Sequence, residues 1–304
     1  MAETVRSPAA ASVAAAGNAR GILGMLAGSG AFVGNDTLVK LVGSRLPPGE
    51  IMLVRGAFAV VMLTAIAAFL GALRLPAAML RAPAFSWRLV GELGSTYAFI
   101  ISLMHLRLAD SSGIQQFQPL AITAASALLL AEPVGWRRWL AALAGLIGVL
   151  LIVKPGTGAF EPYAILAGVC VLFVVLRDLA TRAVPPGAPL LMLALGSAAT
   201  VMIGGLGLAP FETWTVPEPG DLAMLALAAT FLTCGYVFIT MSVRVGDLST
   251  VVPFRYSTVL FAVVLQWSIW GVLPDRLALS GIGLVVAAGL YTLHREQVRR
   301  AGRA

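Results

Sequence analysis

Ten stretches of mainly apolar residues follow one another along this chain, each close to the ~20 residues that a helix needs to cross a hydrocarbon core roughly 30 Å thick. They run over Gly21–Gly43, Gly49–Gly71, Phe85–Leu106, Asp110–Ala131, Trp136–Val153, Pro162–Arg182, Pro189–Pro210, Gly220–Val243, Asp247–Gly271 and Asp275–His294. Turn markers such as Pro47-Pro48-Gly49, Pro185-Pro186-Gly187 and Pro217-Glu218-Pro219-Gly220 separate them. Period-two alternation is absent and the runs are too long for tilted strands, which excludes a membrane barrel. The fold class is therefore an all-α membrane protein of ten transmembrane helices. Composition excludes the soluble alternative. The hydrophobic fraction is 59% before 32 glycines are added, and charged residues are only 12%, where ordinary globular chains carry about 25%. So little polar surface cannot cover a core in water. Two cysteines cannot staple such a length, and the apolar content excludes disorder. The connections are too short to hold a soluble domain, so function must lie within the bilayer.

Lys and Arg collect in cytoplasmic loops. With the N-terminus inside, 13 of the 21 basic residues fall on the cytoplasmic side and five outside, namely Lys40, Arg45, Arg107, Lys154 and Arg276. Arg55, Arg177 and Arg255 lie within spans. Both termini are expected in the cytoplasm, residues 1–20 as a loose tail and 295–304 as a basic one. The net charge of +7 follows from this topology, and the scattered bases form no nucleic-acid face.

The chain also repeats itself. Met104-His-Leu-Arg-Leu-Ala-Asp110 aligns with Met241-Ser-Val-Arg-Val-Gly-Asp247 at an offset of 137, and Pro47-Pro48-Gly49 with Pro185-Pro186-Gly187 at 138. Two nearly equal offsets imply a duplicated unit of five spans, residues 21–154 and 155–294. Five is odd, so the second copy enters the membrane from the opposite face. Two inverted five-helix repeats are a transporter's architecture, with substrate bound near the midplane between them.

A charge at a helix centre costs about 2.5–3.5 kcal/mol on insertion scales and calls for a reason. The intramembrane acids are Asp36, Glu92 and Asp178 and the bases Arg55, Arg177 and Arg255. Depth pairs Asp36 with Arg55 toward the outside and Asp178 with Arg255 toward the inside, two charge layers suited to alternately closing gates. Static pairing competes with gating: Lys40 is one turn from Asp36, Arg88 is one turn from Glu92, and Arg177 can snorkel to headgroups. Asn35, Tyr97, Gln115, Gln118 and Tyr236 are pocket candidates, although helix-to-helix hydrogen bonds would also satisfy them. Pro119 and Pro253 remove a backbone donor in corresponding helices, which kinks them or is simply tolerated. Trp267 and Trp270 suit an interfacial belt. Gly145, Gly148, Gly281 and Gly289 allow close helix contacts. No metal site or cofactor is expected.

The strings "LADSSGIQQFQPLAITAASALLLAEP" and "LIGVLLIVKPG" resemble the EamA-type repeat of the drug/metabolite transporter superfamily. The match includes mid-span Pro119, Glu132-Pro133 after the fourth helix and the glycine-rich fifth helix. Within that family the chain is most similar to YddG-type exporters of aromatic amino acids, and it departs in having Trp270-Gly271 where a second Glu-Pro would stand. The resemblance implies a bacterial inner-membrane exporter of small amphipathic metabolites, aromatic or other apolar amino acids. A broader drug/metabolite exporter, a channel and a lipid flippase are the alternatives. In the exporter reading Arg255 or Asn35 meets a carboxylate, and Gln118 or Asp178 an amine. Proton coupling through Asp36 or Asp178 and facilitated transport both remain open. An intramembrane enzyme is excluded: His105 and His294 sit on opposite faces, and no nucleophile or nucleotide motif occurs.

Overall fold

The computed structural model describes residues 8–71, 73, 77–129, 135–155, 161–184, 190–245 and 248–301. The motif residues Glu132, Pro133, Pro185–Gly187 and Asp247 lie outside them. Among the described residues there are helices and no strand. The long elements are α1 (Pro8–Val42), α2 (Pro48–Phe69), α4 (Pro83–His105), α7 (Trp136–Val153), α8 (Tyr163–Arg182), α9 (Leu190–Leu208), α10 (Pro219–Val245) and α13 (Arg276–Ala301). A short α3 (Ala77–Arg81) precedes α4. Prolines at the first turns of α2 and α4 suit positions whose N–H groups have no intrahelical acceptor. The N-terminus differs from the expected loose tail, because α1 begins at Pro8. Its first residues, Ala-Ala-Ala-Ser-Val-Ala-Ala-Ala, are mostly the strongest helix formers and simply extend the span.

Two expected spans are broken. Residues of the fourth form α5 (Leu108–Gln115) and α6 (Gln118–Leu129), interrupted just before Pro119. Residues of the ninth form α11 (Leu248–Val251), a 3-10 stretch Val252–Tyr256 containing Pro253, and α12 (Ser257–Trp270). Among the described residues, eight helical segments are long and apolar enough to cross a membrane. The third and fourth expected spans are not among them. α4 has 23 residues, but Arg88, Glu92, Ser95, Thr96 and Tyr97 lower its hydropathy, and α5 and α6 have only 8 and 12 residues each.

The most extensive packing joins α1 to α10, α4 to α8, α2 to α9 and α7 to α13, with further contact of α10 with α2 and of α4 with α9. The largest apolar core gathers Val33, Ile51, Leu103, Leu108 and Ala262 from α1, α2, α4, α5 and α12. Between α7 and α13 the backbones nearly touch: a Cβ on Gly281 would stand 2.5 Å from the Gly148 carbonyl oxygen, and one on Gly148 would stand 2.7 Å from that of Gly281. Gly281→Ala is therefore expected to cost about 1–3 kcal/mol through overpacking, read as a lower melting temperature in detergent. Gly283→Ala on the same helix, where a Cβ meets nothing within 4 Å, should show no loss.

Candidate functional site

Polar contacts cluster at one end of the bundle, where α1, α4, α7, α9 and α12 finish and α2, α5, α8, α10 and α13 begin. Lys40 does not bind Asp36. Its Nζ donates to the Leu103 carbonyl at 2.7 Å and to the Leu106 carbonyl, oxygens that the end of α4 leaves without helical partners. It also lies 5.8 Å over the Trp270 ring, which gives that tryptophan an intramolecular role. Arg45 pairs with Asp221 at 2.5 Å, and the Gly49 N–H at the start of α2 donates to Glu212 at 2.9 Å. Arg107 binds Asp110 at 2.7 Å and Asp275 at 3.2 Å, while Lys154 also pairs with Asp275. The Leu108 N–H donates to Gln266 Oε1 at 2.8 Å, tying α5 to α12. Lys154 holds a left-handed backbone (φ 52°), uncommon for a residue with a side chain and maintained only where its surroundings enforce it. The hydrogen bond from Lys154, with that from the Ala278 N–H, keeps the Asp275 carboxyl well below the usual carboxylate range. Beside this cluster is a cavity of about 220 Å³ lined by His105, Arg107, Asp110, Lys154 and Glu161 among others. The His105 ring stacks on Tyr163 there, with centroids 3.5 Å apart.

A second polar layer crosses the bundle deeper in. On α1, the Asn35 amide donates to Asp36 at 2.9 Å, and Arg55 of α2 donates to the Asn35 carbonyl at 3.2 Å. Asp36 and Arg55 are thus linked through Asn35 rather than in direct contact. Arg88 and Glu92 on α4 pair at 3.5 Å, Arg177 of α8 reaches Glu92 at 3.8 Å, and Arg177 pairs with Asp178 at 2.9 Å. Arg177 is therefore a hub between two carboxylates, not a snorkelling anchor. The expected pairing of Asp178 with Arg255 is not made. Asp178 is taken by its neighbour, and the Arg255 guanidinium has no carboxylate within 4 Å among the described residues. Tyr236 of α10 sits among Arg55, Arg88, Glu92 and Arg177 from three other helices, yet is 46% exposed. Arg255 is likewise exposed, and Asp178, Arg177 and Tyr236 are near enough to act on its charge.

The remaining candidates flank this layer. Gln118 donates to Gln115 at 2.5 Å and Gln115 to the Cys170 sulfur at 3.1 Å, which joins the broken α5/α6 element to α8. Tyr97 is half-buried against the main apolar core, and Phe32 meets the Tyr236 ring edge-on with centroids 5.2 Å apart. Sequence reasoning treated Arg107, Lys154 and Asp275 only as topology markers or span boundaries, and Lys40 as a marker or a partner for Asp36. The available signal was the repeated Arg-x-x-Asp, which contains Arg107 and Asp110.

Residues 19–154 match the EamA-like transporter family. Among curated proteins, the chain is 24% identical to an S-adenosylmethionine uptake transporter of Rickettsia prowazekii, over 86% of its own length and 88% of that protein. It is 24% identical to a pseudopaline exporter of Pseudomonas aeruginosa over 88% and 94%, and 26% identical to a riboflavin transporter of Rhizobium johnstonii over 66% and 67%. A solved crystal structure superposes with a TM-score of 0.62 at 17% identity, over 91% of this chain and 96% of that one, a likeness of fold. None of these relatives is named for aromatic amino acids. Residues 19–154, a little under half of the chain, resemble the EamA-like transporter family, and relatives that span most of its length are named as transporters or exporters, so the likeness is to transporters and not to enzymes.

Proposed function

We propose that this protein is an alternating-access exporter of small amphipathic metabolites that carry a carboxylate, amino acids with aromatic or other apolar bodies among them. The observation that carries the reading is the asymmetry of its two polar layers. One end is closed by the Lys40, Arg107, Lys154 and Asp275 contacts, while the deeper layer holds solvent-accessible Tyr236 and Arg255 between helices. Asn35, Tyr97, Gln115, Gln118, Asp178, Tyr236 and Arg255 bind the solute, with Arg255 against its carboxylate and Tyr236 against its apolar body. Asp36 and Arg55 act with Asp178 and Arg255 in closing the path.

Two inverted repeats of five spans, 21–154 and 155–294, fit this reading. The pairing pattern supports them. Let α5 with α6 count as the fourth span and α11 through α12 as the ninth. Exchanging each span with the one five further along then carries the α1–α10 contact into α8–α4 and α2–α10 into α9–α4, and leaves α2–α9 and α7–α13 paired as before. An arrangement that maps onto itself in this way lets the halves swap conformations and turn a cavity from one face to the other. The basic-residue asymmetry supports a topology with both termini on the cytoplasmic side of a bacterial inner membrane. The sealed end then faces outward and the vestibule inward, ready to load a cytoplasmic solute.

The test is counterflow in proteoliposomes preloaded with unlabelled amino acid. A carrier gives a transient accumulation of labelled solute and saturable rates, because its site must reorient. A linear, non-saturating flux without accumulation would indicate a channel and overturn the proposal.

A further inference from the structure

Resting on the vestibule reading above, we infer that the site selects solutes with one more carboxylate than ammonium, that is, amphipathic monoanions in preference to zwitterions. The deeper layer holds three guanidiniums, Arg88, Arg177 and Arg255, against two carboxylates, Glu92 and Asp178. Both carboxylates lie within 4 Å of a guanidinium, so both are already partnered. The neighbouring Arg55 is held by the Asn35 carbonyl, beside Asp36. One guanidinium is left over, and geometry assigns this to Arg255, the member with no ion pair among the described residues and with solvent access.

A second vacancy points the same way. The Arg88 Nε is buried and has no hydrogen-bond partner among the described residues, so the layer is short of acceptors and not of donors. A cation in a membrane interior is costly unless an anion compensates it, and a planar guanidinium matches a carboxylate with two parallel hydrogen bonds. An α-amino group adjacent to that carboxylate would bring a positive charge toward Arg177 and Arg255, and the acids that could receive it are already engaged by arginines. The apolar part of the solute has Tyr236 and Phe32 beside the same charges. The preferred ligand is therefore a carboxylate on an aromatic or aliphatic body whose nitrogen is absent or acylated.

The experiment uses the full-length protein and three probes of one body: N-acetylphenylalanine (anion), phenylalanine (zwitterion) and phenylalanine methyl ester (cation). Equilibrium binding in detergent and counterflow in liposomes are measured for each. The expected order is anion, then zwitterion, then cation, with the anion at least tenfold tighter than the zwitterion. Arg255→Gln should remove most of that preference, and Arg255→Lys should retain part of it. Zwitterion binding as tight as anion binding, with counterflow intact, overturns the inference and leaves the carrier reading standing. Counterflow by none of the three overturns both. The wild-type order alone decides the matter if Arg255→Gln does not fold.

Discussion

Replacing Asp275 with asparagine is expected to expose the outer end of the vestibule and raise labelling from outside roughly tenfold. Asparagine keeps an oxygen for the Ala278 N–H, a helix cap made at 3.0 Å, so α13 still starts where it does. What disappears is the negative charge shared by Lys154 and Arg107, and with it the bond between the end of α7, the α4–α5 corner and the start of α13. Asp275 is 43% exposed, so each pair is worth about 0.2–1 kcal/mol in solvent. Together they contribute on the order of 1 kcal/mol, or five- to tenfold in a two-state equilibrium. A cysteine at Ile114, which lines the cavity beside the cluster, reports it in a background with Cys170 and Cys234 replaced by serine. An impermeant maleimide should react faster in the Asp275→Asn protein, and equal rates would show that the cluster does not hold the end shut. Acid gives an independent reading. A carboxyl held below its usual range contributes stability above the ordinary carboxylate pKa of about 4 and loses it as pH falls through the lower folded value. Labelling of the parent, taken relative to a free thiol at the same pH because only the thiolate reacts, should stay flat from pH 7 to 5 and rise only below about pH 4.

The helices were legible in the sequence because burial in lipid needs long apolar runs, and such runs survive any detail of packing. The breaks were half legible. Pro119 and Pro253 announced a lost backbone donor, but whether the chain kinks or parts into separate helices depends on neighbours that can satisfy the freed carbonyls. The polar site was legible as a list and not as a set of partnerships. Helical spacing put Arg88 beside Glu92 correctly, since that pair is local. The same rule put Lys40 beside Asp36 and failed, because the open carbonyls ending α4 made a better acceptor 63 residues away. Asp178 was paired by depth with Arg255, whereas its sequence neighbour Arg177 had already taken it. Depth and spacing say which charges share a layer. Only the packing of α1 on α10 and of α4 on α8 says which side chains meet, and no periodicity in one helix encodes the other's rotation.

The largest loss of stability is expected from Glu92→Gln, and the reason lies in the same layer. Glu92 is buried on α4 and is the acceptor common to Arg88 at 3.5 Å and Arg177 at 3.8 Å. Removing one partner from a buried ionic group leaves an uncompensated charge and costs about 3–5 kcal/mol, far more than the intact group contributes over an apolar substitute. Here Arg88 loses its carboxylate and Arg177 the longer of its two contacts while keeping Asp178, so the lower part of that range applies. The melting temperature in detergent should fall by on the order of 10 °C. The companion variant Arg88→Gln removes a cation whose Nε has no partner and leaves Glu92 its Arg177, so its cost should be smaller. Combining both variants should recover part of the loss, with a coupling of about 0.5–3 kcal/mol, because Arg177 then keeps Asp178 and one fewer cation is stranded. Equal, additive losses would mean that the charges do not act as one network. In that case α4 is held against α8 chiefly by the close backbone approach at Gly91, where a Cβ would lie 2.7 Å from the Arg177 nitrogen, and the arginines are free to follow the solute.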